Sequence, residues 1–256
     1  MSDIVKYEQQ DAVAVITLHR PDAMNSFNTE LRADLAAALD KAHNDDSVRV
    51  VILTGHGRTF SAGADLKGGI EKDVSEMLQT EYRPVQEAIA SIPKPVIAAV
   101  PGSAAGIGLS IALQCDLMIM ADNAFLLSPF TTISLVPDGG LNWLLVHQLG
   151  YRRAFQLSVE SERIPAERCV ELGLANKAVP AEELQAAALE WAQLLAERAP
   201  LSLAATKKVM RFAADHEWSS AYDMEAQFQG ELLGSDDNQE GIQAFFEKRK
   251  PNFTGK

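Results

Sequence analysis

The chain has 256 residues, 47% of them apolar and 23% charged, the make-up of an ordinary globular protein of one to two domains. A chain of this length can hold a core without disulfides or structural metal, and its two cysteines give no disulfide framework. Lys and Arg number 23 against 35 Asp and Glu, and the resulting net charge of −12 argues against a surface built for nucleic-acid phosphates.

The first ten residues carry Asp3, Lys6 and Glu8 and lack the apolar core of a secretory signal. Residues 12–18 form a continuous apolar run with β-branched Val13, Val15, Ile16 and Thr17, which predicts a buried strand. Asn28 can cap a helix whose apolar residues Leu31, Leu35, Leu39 and Ala42 recur every third or fourth position. Residues 48–54 predict a second strand, and 55–58 turn out of it. Residues 67–75 are polar and contain glycine, which predicts a mobile loop. Leu78, Tyr82, Val85 and Ile89 mark another helix, and residues 96–100 and 117–121 two further strands. The uncharged stretch 96–113 is long enough to imitate a membrane span. Pro101 and Gly102 break it, and Ser103 and Ser110 add polar groups, so it reads as a buried strand, a turn and a buried helix.

Strands separated by helical patterns predict parallel ββα or βαβ units. From about residue 180 the pattern is helical throughout. Leu184, Ala188, Leu189, Ala192 and Leu195 keep the helical period, and Pro200 is expected to end that helix. Residues 203–214, 219–233 and 236–250 predict further helices. Such a tail has little room to bury its apolar faces alone, so it is expected to pack on the body or on a neighbouring subunit. The expectation is one α/β body with a helical extension, in a cytoplasmic protein that does not enter membranes.

Several chemistries are set aside by missing motifs. The chain has no G-x-S-x-G elbow and no P-loop. Gly106-Ile107-Gly108 is followed by Ile111 where a dinucleotide fingerprint needs glycine. The five histidines form no H-x-x-x-H pair and no C-x-x-C occurs, so no metal site is expected. The acidic run 236–240 lacks calcium-loop spacing and reads as a solvated helix start.

Two glycine-bearing turns follow strands, one at 60–66 and one at 101–109. Small residues there let a ligand approach the main chain, and the second turn places N–H groups at a helix N-terminus. Two such amides can jointly hold a developing oxyanion, each worth about 3–4 kcal/mol in a transition state. Close strand–helix packing explains the same small residues. Further on, Asp138 is the one carboxylate between residues 125 and 149. It opens a predicted helix at 141–149, where it serves either as an N-cap or as a general base whose pKa rises by desolvation. The helix N-terminus would oppose that rise.

The ordered set Arg20-Pro21…Met24-Asn25, Phe60-Ser61-Ala62-Gly63-Ala64-Asp65, Pro101-Gly102…Ala105-Gly106-Ile107-Gly108…Cys115-Asp116, Val136-Pro137-Asp138-Gly139-Gly140 and the tail from Phe245 to Phe253 resembles the enoyl-CoA hydratase/isomerase (crotonase) superfamily over essentially the whole chain. The resemblance implies an α/β fold, a spiral of ββα turns over residues 1–195 with a C-terminal helical trimerisation region at 196–256. It implies homotrimers, often paired into hexamers, and an acyl-CoA thioester substrate. No metal or separate cofactor is implied, since coenzyme A is part of the substrate. Ala64 and Ile107 become the oxyanion donors. Position 107 is often glycine in the family, so Ile107 is expected to crowd the pocket while keeping its N–H. Ala23, Met24, Ala62, Asp65 and Leu66 fall where the family lines the bent CoA, with Gly106 and Pro137 in the same substrate-binding set. Lys67 falls where a basic residue approaches the phosphates, and Phe245 and Lys248 where a neighbouring subunit's tail approaches the nucleotide.

Family members that hydrate efficiently carry two glutamates where this chain has Ser110 and Phe130. Asp138 falls where isomerases of the superfamily place their single carboxylate, and residues 136–145 resemble the ring-1,2-epoxyphenylacetyl-CoA isomerase and Δ3,Δ2-enoyl-CoA isomerase groups. Phe130 and Trp143 are candidates for shaping the acyl pocket, Trp143 reading equally well as core. The expected activity is acyl-CoA isomerisation. The alternatives are weak enoyl-CoA hydration, Asp138 acting as a nucleophile as in aroyl-CoA dehalogenases, and an acyl-CoA-binding or scaffold protein without turnover.

Overall fold

Between residues 50 and 127 the chain repeats one step three times: a long apolar strand, a short strand, then a return. In the computed structural model, which describes residues 3–68 and 73–256, β1 (Val5–Gln10), β2 (Val13–Leu18) and α1 (Thr29–Asn44) precede this repeat. The first step is β3 (Val50–Gly55) and β4 (Thr59–Ser61), returning through α2 (Val74–Met77), a π-helical turn at Leu78–Tyr82 and α3 (Arg83–Ser91). The second is β5 (Val96–Val100), β6 (Ser103–Ala105) and α4 (Ile107–Gln114). The third is β7 (Leu117–Ala121) and β8 (Phe125–Leu127), followed by α5 (Leu141–Leu149) and α6 (Tyr151–Glu160). Then come β9 (Ile164–Pro165), α7 (Ala166–Glu171), β10 (Lys177–Val179) and α8 (Leu184–Ala196). The chain closes with α9 (Pro200–Ala213), α10 (Trp218–Leu232) and α11 (Asp236–Glu247).

Among the described residues the long strands form a six-stranded sheet, ordered β1-β2-β3-β5-β7-β10, and the short ones a four-stranded sheet, β4-β6-β8-β9. The β1–β2 and β8–β9 pairs are antiparallel and the rest parallel. Each step therefore adds one strand to each sheet, which generates the expected ββα spiral. Every residue of β3 and β5 is buried, as a parallel sheet covered on both faces requires. Helix α8 lies across β2, β3, β5 and β7 and buries Leu184, Ala188 and Ala192 against them.

Successive turns of the spiral touch backbone to backbone. A Cβ built on Gly102, in the link from β5 to β6, would lie 1.9 Å from the carbonyl oxygen of Arg58 in the preceding turn. That atom cannot swing aside, so Gly102→Ala must separate two turns of the spiral. The substitution is expected to cost at least about 3 kcal/mol, in the range of severe overpacking, read as a large fall in the urea midpoint or in soluble yield. An unchanged midpoint would show that the turns are not packed this way.

Several sequence expectations need correction. The strand β1 was hidden by its alternating charges, and pairing with β2 rather than apolarity defines it. Residues 103–105, read as part of a turn, form a strand of the small sheet. Pro200 does not terminate α8, which ends at Ala196; it opens α9. Proline suits a first helical position because its missing N–H would have no intrahelical partner there. Of the loop expected at 67–75, residues 69–72 lie outside the described residues. Leu66–Gly68 is a 3₁₀ turn, and the Asp73 side chain caps α2 through the Ser75 N–H.

Helix α9 is fastened to the body by charge. Lys207 donates to the carbonyls of Ile89 and Lys94 and pairs with Asp116 at 2.7 Å, and Arg211 pairs with the other Asp116 oxygen at 2.8 Å. Helices α10 and α11 leave large apolar side chains uncovered, with Trp218 79% and Phe245 78% exposed. Among the described residues no helix is long and apolar enough to cross a membrane.

Candidate active site

The first glycine-bearing turn leaves β4 and runs beside the segment before α1. Phe27 and Ala64 form a parallel bridge. Phe27 donates to the Gly63 carbonyl at 2.8 Å, and Asp65 donates to the Phe27 carbonyl at 3.0 Å. Those bonds use the residues flanking Ala64. Among the described residues, the Ala64 N–H itself meets no main-chain acceptor. Ala62 donates to the Met24 carbonyl at 3.0 Å, which joins Ala23 and Met24 to the same turn. Arg20 braces the assembly by donating to the Ser26 carbonyl and to Asp65 Oδ2 at 2.9 Å. The Asp65 carboxyl is held below its ordinary range by that guanidinium and by the Lys67 N–H. The Asp65 side chain thus ties the loop together. Leu66, Lys67 and Met24 stand exposed around it.

The second turn ends in Gly106, which precedes the first residue of α4. Gly106 donates to the Leu127 carbonyl at 3.1 Å. Ile107 is the first helical residue, so its N–H has no intrahelical acceptor, and none is found for it elsewhere among the described residues. The two turns abut. A Cβ on Gly63 would lie 3.0 Å from the Ala105 carbonyl oxygen and 3.6 Å from the Ile107 nitrogen. Small residues at 63 and 106 therefore let the free amides of Ala64 and Ile107 share one corner of the fold. Phe130 is buried beside it, its ring tip 3.9 Å from where a Gly106 Cβ would stand.

The segment carrying Asp138 is pinned against this corner. Ser110 Oγ donates to the Asp138 carbonyl at 3.0 Å, Gln86 Nε2 to the Gly139 carbonyl at 2.9 Å and Asn142 Nδ2 to the Pro137 carbonyl at 2.5 Å. Gly139 has φ +60° and no room for a side chain, since its Cβ would lie 2.0 Å from Ile107 Cδ1. Ile107 thus crowds the segment next to Asp138, and its side chain points into packing while its N–H stays free.

The N-cap reading of Asp138 does not hold. Gly140 is the cap residue of α5 and no side chain caps that helix. Instead Asp138 Oδ1 is buried without a hydrogen-bond partner. Burial pushes the Asp138 pKa up to about 6, the direction expected of a desolvated carboxyl. Ser110 is fully buried. Trp143 is 43% exposed and stacks on His147 with ring centroids 4.0 Å apart, which removes it from the core. Pro137 is buried. Phe245 and Lys248 sit at the exposed end of α11. Phe245 borders a groove with Leu232, Ile242 and Phe253, away from the Ala62–Lys67 turn of its own chain. Among the described residues no cluster of three or more potential metal ligands occurs.

Residues that sequence reasoning passed over frame the site. Arg32, buried on α1, donates to Tyr82 Oη at 3.1 Å and pairs with Glu81. Gln86 is one helical turn beyond Tyr82. The signal for both was polarity on the buried face of an apolar helix, which the period alone does not weigh.

The comparisons with known proteins agree with this architecture. The family model for enoyl-CoA hydratase/isomerase matches residues 8–256. The chain is 40% identical over 254 residues to a probable enoyl-CoA hydratase of Rhodobacter capsulatus, covering 98% of both proteins. It is 36% identical to the 1,2-epoxyphenylacetyl-CoA isomerase of Escherichia coli, covering 100% of both. The crystal structure of an enoyl-CoA hydratase from Bacillus anthracis superposes with a TM-score of 0.95 at 31% identity, over 99% of this chain and 100% of the other. The chain belongs to the enoyl-CoA hydratase/isomerase family of the crotonase superfamily. It is an enzyme of that family, and an acyl-CoA thioester is the substrate consistent with membership.

Proposed function

We propose that the protein is an acyl-CoA isomerase that moves a C=C bond from the β,γ to the α,β position of an acyl-CoA. The observation that carries this reading is a single half-buried carboxylate in this corner, Asp138, with one oxygen buried and unpartnered and a pKa raised by burial with no second acid contributing. Isomerisation needs one base. Asp138 takes a proton from C2, and the electron pair delocalises into a dienolate. Negative charge builds on the thioester oxygen, where the Ala64 and Ile107 N–H groups receive it. Asp138 then returns the proton to C4. Ser110 and Phe130 supply no second carboxylate to hold a nucleophilic water, and the buried Phe130 ring keeps the corner dry.

The relatives include one named as a hydratase and one named as an isomerase, so hydration is the second reading. Initial rates of trans-3-hexenoyl-CoA isomerisation and crotonyl-CoA hydration, measured on one preparation, separate the two. Isomerisation is expected to exceed hydration by about 100-fold, the scale of one general acid–base contribution. A ratio in favour of hydration rejects the proposal.

The proposal extends to binding. Ala23, Met24, Ala62, Asp65 and Leu66 line the CoA with Lys67 toward its phosphates, and Phe245 and Lys248 reach the nucleotide from a neighbouring subunit of a homotrimer or hexamer. The uncovered apolar faces of α10 and α11 support an assembly of this kind.

A further inference from the structure

We propose that Ser110 and Gln86 are positioning residues that aim the Asp138 carboxylate by holding its backbone and not its oxygens; the proposal rests on Asp138 as the proton carrier. Asp138 opens a tight reverse turn. Its carbonyl accepts from the Leu141 N–H at 3.1 Å. The two residues between, Gly139 and Gly140, have φ of +60° and +78°, the left-handed pair that a type I′ turn requires. Three neutral side chains from three helices donate to three successive carbonyls there: Asn142 of α5 to Pro137, Ser110 of α4 to Asp138 and Gln86 of α3 to Gly139. Ser110 is thus the second donor to the Asp138 carbonyl, which fills both of its acceptor positions. With this backbone fixed, the Cα–Cβ direction of Asp138 is fixed, and only the side-chain torsions remain to place the carboxylate.

Ser110 also ties the acid to the oxyanion corner. It stands three residues beyond Ile107 on α4, so the two share a face, and both press on the turn. A Cβ built on Gly139 would lie 2.0 Å from Ile107 Cδ1 and 3.2 Å from Ser110 Cβ. The helix that offers the Ile107 amide therefore also grips the residue that carries the acid. Gln86 grips the next carbonyl from α3. It is buried, yet its Oε1 has no hydrogen-bond partner, so the amide is held there at a cost and its service is the Gly139 bond. Donors on the carbonyls act differently from donors on the carboxylate, which would stabilise the anion and weaken the base. Here Asp138 Oδ1 stays buried without a donor and burial keeps the pKa raised, while the main chain holds the acid in place. The side chains that reach the turn from α3, α4 and α5 are neutral. The Tyr82 phenol, on which the Asp138 charge acts, is pushed above its ordinary range by burial and keeps its proton.

The test uses Ser110→Ala and Gln86→Met, which delete one donor each and keep most of the buried volume. Methionine also removes the unpartnered Oε1, so the fold is expected to hold. With trans-3-hexenoyl-CoA each variant is expected to lose about 10-fold or more in kcat, the effect of displacing a reacting group by less than about 1 Å, while KM stays within about two-fold. Carbon-13 carboxyl titration of protein labelled at aspartate, with Asp138→Asn identifying the resonance, reads the acid itself. A loosened turn admits water to the carboxyl, so the Asp138 midpoint is expected to fall by about one pH unit in both variants. Side chains that serve packing alone would change thermal stability and move neither readout. A parental kcat with an unmoved Asp138 midpoint in both variants therefore overturns the proposal. If the midpoint falls in both but the unsubstituted enzyme isomerises no 3-enoyl-CoA, the positioning role stands and the proposed function fails.

Discussion

Asp138→Asn is expected to lower kcat/KM for 3-enoyl-CoA isomerisation by about 10²–10⁴-fold, the range of a lost general acid–base, while leaving the fold intact. Two pH effects accompany it. The base works as the carboxylate, and burial pushes its pKa up to about 6, so in the unsubstituted enzyme kcat/KM should rise with pH through about 6 and level off above. The same shift carries a stability cost. The acid is protonated in the folded state up to about 6 but loses its proton near the ordinary carboxyl value of 3.8 when unfolded. Folding therefore loses stability as pH rises between those values and carries the full cost above about 6, on the order of 3 kcal/mol. Asparagine cannot ionise. The variant should be more stable than the parent at pH 7 to 8 by up to that amount and show no gain near pH 4, read from urea midpoints at the two pH values. Lost activity with gained stability is the mark of a functional acid held in an unfavourable place. Near-parental turnover in a folded variant would remove Asp138 from the mechanism.

How much of this could be read from the sequence depends on which force sets each feature. The strands at 13–18, 50–55, 96–100 and 117–121 were legible because burial on both faces writes itself as an apolar run. Helix α1 was legible from its period and from Asn28, whose side chain does accept from the Leu31 N–H. The strand β1 and the three-residue strands of the small sheet were not, because pairing with distant segments, rather than local composition, holds them extended. At the site, the resemblance gave the residues Ala64, Ile107 and Asp138, but their apposition follows from contacts no local pattern encodes: Gly63 against Ala105, and Gly139 against Ile107. The direction of the Asp138 shift was also open from sequence, since burial and the helix N-terminus act in opposite senses. In the structure the shift is upward, in the sense set by burial. The frame of Arg32, Tyr82 and Gln86 spans α1, the π-helical turn and α3, so its members are visible as a group only in three dimensions.

Ile107→Pro is expected to lower kcat by about 10²–10³-fold, the effect of deleting one oxyanion donor, and it addresses the amide without touching any acid. Proline removes the N–H and is compatible with the first position of a helix, which is where Ile107 stands in α4. The ring also removes the Cδ1 methyl that packs against Gly139, so a loss of activity by itself does not isolate the amide. Ile107→Val supplies the comparison. It deletes the same methyl, keeps the N–H and is expected to stay within about five-fold of the parent, with a stability loss of about 1 kcal/mol. If the valine variant falls as far as the proline variant, packing of the Asp138 segment is what matters at position 107, and the oxyanion assignment there is wrong. If only proline is deficient, combining it with Asp138→Asn gives a further discrimination. Both groups act on the same dienolate, one forming it and the other holding its charge, so the double variant should lose less than the product of the two single losses. Full multiplicativity would mean that the amide and the acid serve different steps.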